Sequence, residues 1–153
     1  MKAEQLLNDL GLTMGIKGLM FDDQGCASLA FDQKYTINLE LNASTEQLHL
    51  YSDLGALPGQ DREQLYLKLL NGNLFHAETG GATLAVDSVQ QQVVLCRVLN
   101  PEPLSGNDFC NIIEAFVNAV AQWQDKINEL PASTPKTSIA DLDIRSMQGL
   151  IRG

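Results

Sequence analysis

Residues 65–99 read LYLKLLNGNLFHAETGGATLAVDSVQQQVVLCRVL, and the pattern changes twice within them. Leu65, Tyr66, Leu67, Leu69 and Leu70 leave Lys68 as the one polar residue of a helical run. Asp61 is placed to cap this helix, with Glu63 in its first turn, so a helix is expected over Asp61–Asn73. A helix apolar nearly all round must be covered on more than one side. Either its own domain supplies the second cover or another copy of the chain does. Gly80-Gly81 then breaks the helical period. ATLAVD, a turn at Ser88–Gln91 and QVVLCRVL follow as two strands of a hairpin. Val93, Val94, Leu95 and Cys96 are apolar on both faces, which suits a central or doubly covered strand.

Upstream, Ala3, Leu6, Leu7 and Leu10 follow the i, i+3, i+4, i+7 spacing of a short helix over residues 2–11, which Gly11 is placed to end. From 19 to 52 the period is two. Ala27, Leu29 and Phe31 form one strand, and Asp32-Gln33-Lys34 makes a tight connection. Tyr35, Ile37, Leu39 and Leu41 form the next strand, and Leu48 and Leu50 mark a third, giving an antiparallel meander. DLGALPGQ, 53–60, is a loop by its Gly and Pro content. Downstream, Asn100-Pro101-Glu102-Pro103 ends the hairpin, and Ser105 or Asn107 can cap a long helix. Phe109, Ile112, Ile113, Phe116, Val120, Trp123, Ile127 and Leu130 form the core stripe of that helix.

The expected architecture is α+β, a single domain over 1–130 in the order α-β-β-β-α-β-β-α. A mainly antiparallel twisted sheet is packed by helices. Residues 131–153 differ in composition. PASTPKTS reads as a flexible linker, and IADLDIRSMQGLIRG is weakly amphipathic at Ile139, Leu142, Met147 and Leu150. That tail is either an unstructured end or a short docking segment.

At 153 residues and 44% apolar types the chain can bury a single core. Its net charge of −9 argues against nucleic acid and anionic membranes, both of which recruit Lys and Arg. The first twenty residues carry Glu4, Asp9 and Lys17 and read as no secretory signal. No run approaches the eighteen apolar residues of a membrane span, so no membrane insertion is expected. Three scattered cysteines, Cys26, Cys96 and Cys110, argue for a reducing cytoplasm rather than a disulfide framework. His49 and His76 lie at no metal-ligand spacing from a cysteine or carboxylate. The glycines fit no phosphate-binding motif. No catalytic residue, metal or cofactor is expected, and the chain reads as a non-enzyme. A small enzyme with a site assembled only in space is the minor alternative.

The 65–99 stretch also carries a resemblance. A leucine-rich helix, an Asn-Leu pair (Asn73-Leu74), a Gly-Gly turn and a hairpin with acidic Asp87 in its turn follow one another. Together with LLNDLGL and GCASLAFDQKYTINLEL, they resemble the class I chaperones of bacterial type III secretion, the Tir chaperone family, over roughly residues 3–130. The resemblance implies a homodimer in the bacterial cytoplasm. Its interface would lie on the second helix and the strand after it: Leu65, Leu67, Leu69, Leu70, Thr83, Leu84 and Ala85. It also implies binding of the N-terminal region of a secreted effector in an extended form, with the secretion ATPase as a further partner. Leu6, Leu7 and Leu10 with Leu29, Phe31 and Val94 are the candidate groove residues. The competing expectation is that these side chains seal the first helix against the sheet. The alternative function is a related α/β peptide-binding or regulatory domain outside secretion.

Overall fold

The computed structural model describes residues 1–130; the expected linker and tail at 131–153 lie outside the described residues. Helix α1 spans Ala3–Met14, and strands β1 (Cys26–Phe31), β2 (Tyr35–Asn42) and β3 (Gln47–Ala56) form the meander. Helix α2 (Glu63–Gly72) runs into a 3₁₀ turn at Leu74–His76. Strands β4 (Thr83–Asp87) and β5 (Gln92–Leu99) and helix α3 (Gly106–Asn128) complete the order. The five strands pair antiparallel in the order β1-β2-β3-β5-β4, so the late hairpin joins the meander through β3 and β5.

Alternation divides the sheet into two unlike faces, since successive side chains of a strand point opposite ways. Leu29, Ile37, Leu39, Leu48, Leu50, Leu84, Val93 and Leu95 point to one side and are buried. α3 lies across β2 and β3 on that side, α1 packs on α3, and α2 packs on β4. Phe109, Ile113, Phe116, Val120 and Trp123 supply the helical half of this one core. The described protomer is therefore two layers, helices on one face of a sheet.

Helix ends depart from the sequence reading in two places. α1 continues past Gly11 to Met14 and ends on Gly15, whose φ of 70° is left-handed. Gly11 is instead a buried helical residue on which Leu19 closes; a Cβ there would lie 3.0 Å from the Leu19 Cβ. Its role is close packing rather than ending the helix. α2 begins at Glu63 with Arg62 in the cap position and no side-chain cap, rather than with Asp61 as the cap. Asp61 has a positive φ of 55°, a geometry that takes it out of the extended conformation of an N-cap. At α3 the expectation holds for Ser105. Its hydroxyl accepts from the Asp108 backbone N–H, and the Asp108 carboxylate accepts from the Ser105 N–H, a reciprocal capping box.

Three side chains tie the end of α2 and the turn after it to β4 and α3. The Asn73 amide donates to the Leu84 carbonyl at 3.0 Å and its oxygen accepts from the Leu84 N–H at 2.7 Å. It thereby occupies backbone groups on the outer edge of β4, where an unpaired strand invites adventitious pairing. The Trp123 indole donates to the Glu78 carbonyl at 2.8 Å. Lys126 lies over that indole and pairs with the Glu78 carboxylate at 3.1 Å.

Candidate polypeptide-binding surfaces

Among the described residues the helices leave the second face of the sheet uncovered. Register places Tyr51 opposite Cys96, His49 opposite Val98 and Asp53 opposite Val94 across β3 and β5, and Glu40 beside His49 on β2. Tyr51 and Val98 are 36% and 53% exposed, and Val94 and Cys96 are half-buried. Around Glu40, Asn42, His49, Tyr51, Cys96 and Val98 the surface sinks into a depression of about 260 Å³. The strands carry a single cation, Arg97, which also borders this depression; by alternation its side chain points to the inner side, where its guanidinium donates to the Gly80 carbonyl at 3.0 Å. The open face is thus apolar with acidic members, Glu40 and Asp53, and no Lys or Arg from any strand.

The phenol and the two thiols on this face are poorly suited to act as nucleophiles. Desolvation, then the neighbouring Glu40 and Cys26, push the Tyr51 phenol up. Burial pushes the Cys96 thiol up. Desolvation, followed by Asp22 and Glu40, does the same to Cys26. All three therefore favour the protonated, less nucleophilic form. The three thiols are free and half-buried, more accessible than their apolar flanks suggested. Among the described residues no three His, Cys, Asp or Glu are grouped to hold a metal. His76, in the 3₁₀ turn, donates a ring N–H to the Ala82 carbonyl at 2.8 Å. What this surface offers a ligand is apolar area, carboxylates and strand edges, the means by which proteins hold extended polypeptide.

A second uncovered surface runs along α2. Leu67 and Leu70 are 61% and 69% exposed, and Leu74 and Phe75 continue the ridge at 61% and 90%. Phe75 and His76 both have positive φ, 54° and 53°. For a bulky residue that is an uncommon conformation, and here it carries an aromatic ring outward.

The candidate interface residues are accordingly divided. Leu65, Leu69 and Leu84 are buried in the protomer's own core, whereas Leu67, Leu70 and Thr83 are exposed and Ala85 is half-buried. The candidate groove residues divide more sharply. Leu6, Leu7, Leu10 and Leu29 are 0–3% exposed, so in the protomer they seal α1 and β1 into the core rather than line an open groove. This burial has a simple cause: α3 covers α1 from the other side, a long-range contact invisible in the spacing of α1 alone. Phe31 and Val94 remain half-buried, and only Val94 faces the open side. Periodicity marks none of Tyr51, Val98 and Phe75 as a surface residue of interest, and Leu74 enters the sequence reading only through the Asn73-Leu74 pair. Tyr51 sits on the polar phase of β3 and the Leu74-Phe75 pair follows the helix. The available signal was a large apolar residue where the period called for a polar one.

Comparison with known proteins places this fold. The family model for the Tir chaperone protein (CesT) family matches residues 5–124. A Chlamydia pneumoniae protein is 34% identical over 122 residues, covering 78% of this chain and 92% of that relative. The Tir chaperone of Escherichia coli O111:H- is 29% identical over 119 residues, 78% of this chain and 75% of the relative. Among solved structures, a chain of the complex between the Yersinia pestis type III secretion chaperone SycH and a stable fragment of YscM2 superposes with a TM-score of 0.62. It is 22% identical, and the match covers 78% of this chain and 98% of that one. The chain belongs to the Tir chaperone family.

Proposed function

We propose that the chain is a type III secretion chaperone in the bacterial cytoplasm. It binds the N-terminal region of a cognate effector as extended polypeptide and keeps that effector soluble and competent for secretion. Membership of the Tir chaperone family over residues 5–124 carries the reading. The physical features agree with it. An apolar, cation-free sheet face suits an extended segment that alternates apolar and basic residues. Solubility follows because burial of apolar effector side chains against the chaperone removes them from contact with one another. The SycH–YscM2 and related complexes supply the analogy for a polypeptide ligand. The acidic body favours a basic-leaning segment through its field, an effect on encounter rate and selectivity more than on affinity.

Two copies associate through the outer side of α2. Leu67, Leu70, Leu74 and Phe75 form a contiguous apolar ridge that a lone protomer leaves in water, and self-association buries it. No helix among the described residues is long and apolar enough to cross a membrane.

Deletion of the gene in its own bacterium tests the chaperone reading. One or a few secreted proteins should disappear from the culture supernatant and fall in the cytoplasm, with recovery on complementation. The N-terminal segment of an affected protein, made alone, should form a stable complex with the purified chain. An unchanged set of secreted proteins would overturn the reading.

A further inference from the structure

The open sheet face needs an occupant, and the chain contains a segment whose chemistry fits it. Residues 144–153, IRSMQGLIRG, hold Ile144, Met147, Leu150 and Ile151 together with Arg145 and Arg152, and no acidic residue. We propose that this segment binds the open face of the chain's own sheet and holds it until a partner polypeptide displaces it. The idea deepens the chaperone reading, on which the identity of the displacing partner rests; the docking itself stands on observations within this chain.

Charge is the first of these. Residues 1–130 contain seventeen acidic side chains against seven basic ones, a body of −10. Glu40 and Asp53 lie on the open face, and no strand places a Lys or Arg there. Two arginines in an otherwise uncharged apolar segment complement that surface. Arginine is the cation suited to it, since its planar fork pairs with carboxylates while its stem covers apolar area beside Tyr51 and Val98.

Reach is the second. α3 ends at Asn128 beside the far end of β3: Gln124 donates to the Asp53 carbonyl at 3.1 Å, and a Cβ at Gly55 would lie 3.8 Å from Ile127. The chain therefore leaves the described domain at the strand end that carries Asp53, one border of the open face. Between Leu130 and Ile144 lie enough residues to span about 45 Å when extended, against roughly 26 Å for the whole length of β5. The segment can traverse the face in either direction. Tethering supplies an effective concentration in the millimolar range, so even weak contacts keep the face occupied. An effector segment that binds more tightly then displaces the tether, and the open face is not exposed to unrelated chains in the interval.

Cys96, at the centre of the face, reports occupancy directly. The full-length chain would be treated with N-ethylmaleimide without any effector present, and the labelling rates of Cys96 and Cys110 followed by peptide mass spectrometry. Arg145→Glu/Arg152→Glu and, separately, Met147→Asp/Leu150→Asp should raise the Cys96 rate at least threefold and leave Cys110 unchanged. A synthetic IRSMQGLIRG peptide should slow Cys96 again in both variants. Equal Cys96 rates in the wild type and both variants would overturn the proposal. So would protection that rises with protein concentration regardless of the tail, which would assign the face to a second copy. A parallel rise at Cys110 would mean general loosening and would overturn it too. Because no effector enters the assay, tail docking stands or falls separately from the secretion test.

Discussion

At Gly72 the last turn of α2 meets the six-membered ring of Trp123. A Cβ built there overlaps that ring and falls 2.8 Å from the Leu84 Cδ1, so the site admits only hydrogen. Trp123 cannot step aside, because its indole N–H is committed to the Glu78 carbonyl and its face to Lys126. Gly72→Ala should therefore destabilise the protomer by about 1–3 kcal/mol through overpacking, although alanine favours a helix more than glycine does. Urea denaturation followed by Trp123 fluorescence measures it; an unchanged or higher midpoint would show that the junction relaxes at no cost. The cap of α3 was legible only as a choice between Ser105 and Asn107. The structure selects Ser105, whose side-chain and backbone hydrogen bonds hold the Asp108 carboxyl below its ordinary range.

At the scale of elements, α2 shows how far periodicity reaches. Leu65 and Leu69, four residues apart, lie on the same stripe, while Leu67 and Leu70 project away from it. The sequence established that no single side of the helix holds all its leucines. It did not say which pair faces its own core, since that depends on where β4 and Trp123 lie. With the outward pair identified, Leu67→Asp becomes a specific test of association. The side chain is 61% exposed in the protomer, so the variant should retain its circular dichroism spectrum and sediment as a monomer. The wild type should sediment as a dimer at micromolar concentration, and a monomeric wild type would refute association through α2. The reverse lesson comes from α1. Leu6, Leu7 and Leu10 show a clear helical stripe, but a stripe reports only that something covers it; here α3 and the sheet do.

For the whole molecule, the descent of stability from one apolar core has a consequence for ligands. Trp123, Phe109, Phe116 and the inward leucines make one cluster, and the described residues hold no grouped metal ligands. Chelators, zinc, magnesium and ATP should leave the melting temperature unchanged. A ligand at a hundredfold excess over its dissociation constant would add about 2.7 kcal/mol, several degrees for a domain of this size. Differential scanning calorimetry would reveal a shift of that size, and any one of these additions producing it would expose a missed site.

The order of elements and the antiparallel pairing within each hairpin were determined by sequence alone, because they rest on local periodicity and turn chemistry; the choice of Ser105 over Asn107 as the α3 cap came from the structure. The extended reach of α1 past Gly11 and the uncapped start of α2 were not: Gly11 is chosen for contact with Leu19, and Asp61 takes a left-handed conformation. Joining of the two hairpins through β3 and β5 is a long-range pairing that leaves no local signature. Neither does the placement of the three described helices on one side of the sheet. Tertiary structure decided that placement, and with it that Val94, Cys96 and Val98 of an apolar central strand face an open surface. An alternating strand shows what its two faces are made of; only the packing of the helices decides which face is left in water.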